Sequence, residues 1–368
     1  MNNFSYHNPV KVHFGNGLLN ELPEILGNRK ALLVTMPFFE TSGVVERIQS
    51  LVPGRINRVI HNVPENPHLE YLENVYGGMP KGEYDVILAL GGGSVIDTAK
   101  TLAVNTPQGD FKTVENLIRG TVNPEDYSLT PVIAVPTTAG TGSEVTPWAT
   151  VWDTREAKKY SLHLPDLWCE QCICDPELTL TLPEPATIHT ALDALSHSLE
   201  SVWNINRNPV STRFAVASVQ LILQTLPLLA WNSDEILYRK KMMLASLYAG
   251  LAFSNTKTAV AHAVSYALTA EKGLPHGLAC GVTLPSILDA MLGENREIDA
   301  VFEEMFGMVS SRPLREMFEK IGLSASLKDY GVSREELEAI RKNLASVPRA
   351  GNSLVPVGQV FENFYGEF

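Results

Sequence analysis

The amino-acid sequence predicts an α/β half followed by an all-helical half. Three observations carry this prediction. Short, continuous β-branched runs alternate with helix-like stretches through the first half. One such run opens straight into a glycine turn and a helix. From Thr187 onward the apolar spacing is helical and strand signals nearly vanish. A chain of 368 residues suits two domains of ordinary size, each burying its own core. The expected division is an α/β domain over 1–181 and a helical domain over 182–368.

The elements follow in order. The opening stretch MNNFSYHNPVKVHFGNG lacks the apolar centre of a signal peptide. Ala31–Val34 (ALLV), Asp85–Leu90 (DVILAL) and Val132–Val135 (VIAV) read as strands of a parallel sheet covered on both faces. Pro131, Pro136 and Pro147 bracket loops within this half, and CICD at 172–175 is strand-like. Leu182 and Pro183 end it. Thr187, with Pro183 and Pro185 just before it, is the expected N-cap of the first long helix, TIHTALDALSHSLESVW. Two further stretches, STRFAVASVQLILQTLPLLA and RKKMMLASLYAGLAFSNTKTAVAHAVSYAL, continue the helical texture, and no apolar run is read as spanning a membrane.

Composition narrows the class of function. With 29 Lys and Arg against 41 Asp and Glu, the net charge of −12 argues against nucleic acid or an anionic membrane as the main partner. Cys169, Cys172, Cys174 and Cys280 lack the paired spacing of a zinc ribbon and imply no disulfide framework, as expected of buried thiols in a reducing cytoplasm.

Three motifs carry chemistry. Strand 85–90 runs into Gly91-Gly92-Gly93-Ser94 and then a helix from about Val95. Glycines let the backbone take positive φ and approach a bulky anion, and the helix start aims free N–H groups at it, so a pyrophosphate fits. The alternative is a tight turn with no ligand. A second loop, Pro136-Thr137-Thr138-Ala139-Gly140-Thr141-Gly142-Ser143-Glu144, follows strand 132–135 and offers hydroxyl donors at the same carboxyl ends of the sheet. Asp193 and His197, four apart on a helix, share one face. His262 and His276 complete a set of one carboxylate and three imidazoles suited to a first-row divalent cation. The alternatives are a simple Asp–His pair and core histidines, His189 among the latter.

Taken together these stretches resemble the iron-containing alcohol dehydrogenase family. The matching motifs are Phe14-Gly15-Asn16-Gly17, GGGSVIDTAK at 91–100, PTTAGTGSEVT at 136–146, DPELTLTLPE at 175–184, ALDALSHSLE at 191–200, and AFSNTKTAVAH through LPHGLA within 252–279. The resemblance implies a Rossmann-like dinucleotide-binding N-terminal domain and an all-α C-terminal domain, a dehydroquinate synthase-like architecture with the active site in the cleft between them. It implies a metal on Asp193, His197, His262 and His276, iron(II) as the usual ion and zinc as the common substitute. It places Gly92, Gly93, Ser94 and Asp97 at the dinucleotide pyrophosphate, and Thr137, Thr138, Thr146 and Lys159 around the nicotinamide and riboses. The implied reaction is NAD(P)-linked hydride transfer between nicotinamide C4 and the metal-polarised carbonyl of a small aldehyde, or its reverse. A cytoplasmic homodimer acting on a small alcohol or aldehyde is expected.

Three departures from the family pattern bear on the chemistry. Tyr266 stands where many relatives carry a histidine, four residues after His262, and is a candidate proton relay despite a phenol's usual pKa of about 10. Met36 stands where NAD-preferring relatives place an aspartate on the adenine ribose, which favours NADPH or dual use. Lys257, beside Thr258, is a candidate contact for an anionic aldehyde, a variant that resembles phosphonoacetaldehyde reductase-like members. Two rival readings remain: a dehydroquinate synthase-like metal-dependent lyase, and a silent dinucleotide-binding protein. The complete ligand set argues against the second.

Overall fold

The computed structural model describes residues 3–80, 82–122, 126–156, 158–344 and 347–368. The chain divides into two compact units. One comprises residues 8–138 and 143–179; the other joins the N-terminal residues through His7 and residues 139–142 to the whole of 180–368.

The first unit is built on six parallel strands, in the spatial order Lys11–Phe14, Gln171–Cys174, Val132–Pro136, Val86–Gly91, Ala31–Thr35, Ile56–Ile60. The three strands read from the sequence are all present and buried along their length. They are the central strands, covered on both faces, which is why their apolar runs are continuous. Two edge strands escaped the sequence reading. Ile56–Ile60 (INRVI) carries Asn57 and Arg58 exposed, and Lys11–Phe14 has no buried residue, so neither shows an apolar run. A separate antiparallel pair, Trp148–Asp153 with Lys158–His163, alternates buried and less buried positions along its first strand.

Chain order in the sheet reverses between Ala31–Thr35 and Val86–Gly91, so the glycine turn leaves the carboxyl end of a strand at a topological switch point. The following helix is Gly93–Leu102, two residues earlier than expected. Only Gly91 of the three glycines has positive φ, at 159°, and a Cβ there would stand 2.4 Å from Val95 Cγ2. Gly92, at φ −76°, serves a different need, since a Cβ there would come within 3.1 Å of Thr138. The expectation that all three supply positive φ is therefore corrected; close packing, not backbone handedness, explains Gly92.

Lys100, on this helix, is fully buried. Its ammonium donates to the Ser143 carbonyl, to the Thr146 carbonyl at 2.6 Å and to the Trp148 carbonyl at 3.1 Å. These bonds replace its hydration and pin the segment after the Thr-rich loop to the phosphate-loop helix.

The second unit is helical; among the described residues the last strand of the chain is Gln171–Cys174. Four long helices, Glu184–Val202, Pro209–Trp231, Ile236–Thr256 and Val260–Lys272, carry its core, and shorter helices follow to Tyr365. The first long helix starts at Glu184 with Pro183 as N-cap, not at Thr187. Pro185 sits in the first turn, where its missing N–H is no loss. Thr187 lies inside the helix. Its hydroxyl donates to the Pro183 carbonyl at 3.0 Å and accepts from Arg239 at 2.8 Å.

Pro209–Trp231 is long and apolar enough to cross a membrane by length and composition alone, although Arg213, Gln220 and Gln224 interrupt its apolar run. Within the fold it packs against the two neighbouring long helices. Ser218 links all three, through Ser198 Oγ at 2.8 Å and the Ala245 carbonyl at 2.8 Å. Asn208 and Ser211 close its start with a reciprocal capping box.

One buried acid gives a test of the first unit. Burial pushes the Glu144 carboxyl up to about 7, against about 4.3 in an unfolded chain. The raised folded value means that its contribution to stability is complete below about pH 4 and is lost as pH rises through about 7. Glu144→Gln should therefore stabilise the protein increasingly between about pH 5 and 8, by roughly 1–3 kcal/mol at the upper end. Denaturant unfolding of both proteins across that range checks this; a constant difference at all pH values would contradict it.

Candidate active site

In the helical unit, three helices deliver the sequence-predicted ligand set. Asp193 and His197 lie one turn apart on Glu184–Val202, and both are buried. His262 is the third residue of Val260–Lys272, and His276 opens the short helix His276–Gly281. Asp193 Oδ1 is the common point. It lies 3.4 Å from His262 Nε2, 3.8 Å from His197 Nε2 and 3.8 Å from His276 Nε2. The His197 and His262 rings stack with centroids 4.6 Å apart, and Phe253 stacks on the other face of His197 at 3.9 Å.

The close approach of His276 rests on two glycines. A Cβ on Gly277 would stand 1.8 Å from the His189 carbonyl oxygen, and one on Gly281 would stand 3.0 Å from Leu192 Cβ. The short helix thus lies backbone-to-backbone on the Asp193 helix, and any side chain at 277 would lift His276 away. His189 is half-buried and contributes this backbone contact rather than a ligand.

Electrostatics set the character of the site. Burial raises the cost of the Asp193 charge, but the surrounding histidines, His197 foremost, outweigh it and hold the carboxyl well below the usual range. Burial drives His197 down to about 4, so its ring is neutral. Burial works against protonating His262 as well, yet Cys280, Glu200 and Asp193 around it overcome that and hold its pKa well above the ordinary value.

Asp193 Oδ1 and His262 Nε2 are buried and have no hydrogen-bond partner. Orphaned atoms of this kind are expensive unless something else satisfies them. A divalent cation among Asp193, His197, His262 and His276 would do so, and one carboxylate oxygen with three ring nitrogens is a fitting donor set for a first-row ion.

Two further residues belong to this centre that the motifs do not single out. Glu200 is fully buried. It accepts from the backbone N–H groups of Ala259 at 2.8 Å, Ala261 at 2.5 Å and His262 at 3.2 Å, and it pairs with His262 Nδ1 at 2.7 Å. It therefore caps the start of the His262 helix and turns the other ring nitrogen toward Asp193. The clue was available: Asp193, His197 and Glu200 fall at i, i+4 and i+7, one helix face. Cys280 is the other. It offers a sulfur grouped with the donor atoms of Asp193, His262 and His276, all within 4.8 Å of one another. A lone cysteine four residues after a histidine carries no warning of this.

The other predicted site residues fall into place as follows. Tyr266 lies one turn after His262 and is half-buried, its ring stacked 6.3 Å from that of His276. Its hydroxyl accepts a hydrogen bond from Arg349, whose guanidinium also lies 5.0 Å from the ring centre. Lys257 is not on the His262 helix. It caps the end of Ile236–Thr256 with a positive φ of 65°, and the residue is exposed.

In the sheet unit, Gly92, Gly93 and Ser94 form the start of the phosphate-loop helix, and Thr137 and Thr138 lie beside them. The Thr137 amide donates to the Gly91 carbonyl at 3.1 Å, and Thr138 packs on Gly92. Asp97 is half-buried, and its oxygens accept from Ser143 Oγ at 2.6 Å and the Thr150 amide at 2.9 Å. Thr146 is buried, and its carbonyl is one of those held by Lys100. The Lys159 ammonium stands 5.7 Å from the Trp152 ring centre.

Comparison with known proteins identifies this arrangement. Residues 9–176 match the family model described as iron-containing alcohol dehydrogenase, and residues 187–347 match that of the Fe-containing alcohol dehydrogenase family, C-terminal. The chain belongs to the iron-containing alcohol dehydrogenase family. It is an oxidoreductase of the metal-dependent, nicotinamide-linked type. Among relatives, it is 31% identical over 361 residues to long-chain-alcohol dehydrogenase 1 of Geobacillus thermodenitrificans, covering 93% of this chain and 90% of that protein. It is 36% identical over 207 residues to phosphonoacetaldehyde reductase of Streptomyces viridochromogenes, covering 55% of this chain and 52% of that one. The solved structure of sulfoacetaldehyde reductase from Bifidobacterium kashiwanohense in complex with NAD+ superposes with a TM-score of 0.88 at 28% identity, covering 100% of this chain and 99% of that one.

Glu200→Gln keeps the size of the side chain but removes the charge behind His262. It should weaken cation binding by about 10–100-fold, measured by competition with a chromophoric chelator. Gly277→Ala should abolish stoichiometric metal retention outright, because the clash is with backbone. Unaltered affinity in both would contradict the geometry.

Proposed function

We propose that the chain is a reductase of small aldehydes, holding one divalent cation on Asp193, His197, His262 and His276, with iron(II) as the ion and zinc as a substitute. Residues 1–181 serve the dinucleotide, NADPH or NADH, through Gly92, Gly93, Ser94, Asp97, Thr137, Thr138, Thr146 and Lys159. Residues 182–368 serve the metal and substrate. We further propose a homodimer working in the cytoplasm. The observation that carries the reading is the convergence of three ring nitrogens on one orphaned carboxylate oxygen.

When bound, the cation supplies Lewis acidity toward a carbonyl oxygen and the dinucleotide supplies hydride. The protein's own groups do the rest. Asp193 contributes the negative charge that retains the ion, while three neutral rings leave it electrophilic. Glu200 fixes the His262 ring so that its Nε2 faces the ion. The glycine turn and the helix start at Gly93 provide backbone N–H groups for a pyrophosphate. Tyr266, next to His276, is the residue placed to pass a proton to the product. Met36 caps the helix after Ala31–Thr35, where a carboxylate would repel a 2′-phosphate; its apolar side chain supports use of NADPH.

His262→Ala should lose the cation and turnover while retaining dinucleotide affinity. Metal analysis, nucleotide titration and an aldehyde screen followed by loss of reduced nicotinamide absorbance check this together. A metal-free His262→Ala protein with full activity would overturn the assignment. Product formation without net consumption of reduced nicotinamide would favour lyase chemistry.

A further inference from the structure

Lys257, the candidate contact for an anionic substrate, is exposed at the end of its helix. The cation that the fold seats beside the ligand set is Arg349. It belongs to the short 3-10 turn Pro348–Asn352, and its guanidinium lies on Tyr266, which in turn stacks beside His276. Its hydrogen bonds go to two neutral hydroxyls, Tyr266 Oη and Thr258 Oγ1, the latter at 3.4 Å. Arg349 is half-buried, and neither of these side-chain bonds reaches a carboxylate.

The segment that carries Arg349 is held from several sides. Asn352 donates to the Thr258 carbonyl at 2.8 Å, the Ile205 amide donates to the Asn352 carbonyl at 2.8 Å, and the Leu354 amide donates to the Trp203 carbonyl at 3.0 Å. Ala350 is buried in the helical core. The guanidinium is therefore fixed in place before any ligand arrives, which limits the ordering penalty of binding.

We propose that Arg349 is the substrate-anion anchor, and that the enzyme's preferred substrates are short aldehydes bearing a carboxylate, sulfonate or phosphonate near the carbonyl. This inference rests on the aldehyde reductase reading above. A half-buried guanidinium bonded to neutral hydroxyls keeps its charge uncompensated, and its planar fork of donors matches an oxyanion with two parallel hydrogen bonds. Tyr266 contributes the spacing. Its ring neighbours both His276, at 6.3 Å, and the Arg349 guanidinium, at 5.0 Å, so a short molecule whose oxygen reaches His276 brings its other end within range of Arg349. The balanced reaction is unchanged: hydride from reduced nicotinamide joins the carbonyl carbon, a proton joins the oxygen, and the anionic group takes no part beyond binding.

The experiment uses the metal-loaded full-length enzyme, wild type beside Arg349→Ala and Arg349→Lys. Each is assayed with sulfoacetaldehyde and with propanal, and each is titrated with methanesulfonate and methylphosphonate as competing anions. The expected wild-type kcat/KM is at least about tenfold higher for the anionic aldehyde. Arg349→Ala should reduce that preference by about 100-fold, mainly through KM, and abolish competition by both anions; Arg349→Lys should restore part of each. Equal losses on both aldehydes, with anion competition intact, would reduce Arg349 to a clamp for Tyr266 and overturn the proposal. A wild-type enzyme without anion preference would overturn it too, while leaving the aldehyde reductase reading standing. Absence of any aldehyde turnover would instead remove that reading, and anion binding measured directly by thermal shift of wild type against Arg349→Ala would still decide whether Arg349 binds anions.

Discussion

The helical unit is organised around two buried carboxylates that no lysine or arginine reaches among the described residues. Asp193 faces three imidazoles with an unsatisfied oxygen, and Glu200 is saturated by three backbone N–H groups and one ring nitrogen. With a cation on the ring nitrogens the rings would be neutral, and its double charge would balance the two carboxylates. Burying charge without such balance is among the largest penalties a fold can carry. The arrangement is intelligible as the protein half of a metal site, in which folding energy and metal affinity are the same quantity.

Much of the surrounding structure serves that constraint. Gly277 and Gly281 exist because the His276 helix must touch the Asp193 helix backbone to backbone. Gly140 and Gly142 follow the same logic: a Cβ at 140 would stand 2.5 Å from the Thr190 carbonyl oxygen, and one at 142 would stand 2.6 Å from the Gly250 Cα. These loop residues pack into the helical unit, which is why the conspicuous glycines of PTTAGTGSEVT are there. The Phe253–His197–His262 ring stack then fixes the orientation of two imidazoles by packing alone.

The central strands were legible because burial on both faces writes itself as an unbroken apolar run, as at Ala31–Thr35 and Val86–Gly91. The edge strand Ile56–Ile60, half solvated, writes no such run. The ligand positions were legible because spacing on one helix and the family motifs both mark them. Glu200 lay on the same helix face but carries its meaning only through the N-terminus of a helix sixty residues on, which no local pattern predicts. Arg349 was invisible for a related reason: it lies beyond the family motifs, which end within 252–279, and only the fold brings it to Tyr266. Thr187 looks like the cap of the Asp193 helix, whereas two prolines set the backbone for a cap four residues earlier, at Pro183.

The most direct test of the central claim is anomalous diffraction at the absorption edge of the metal in crystals of the metal-loaded protein. The account predicts one strong peak, with an oxygen of Asp193 and ring nitrogens of His197, His262 and His276 at about 2.0–2.2 Å from it. A peak placed elsewhere, or none from protein shown to contain stoichiometric metal, would contradict it.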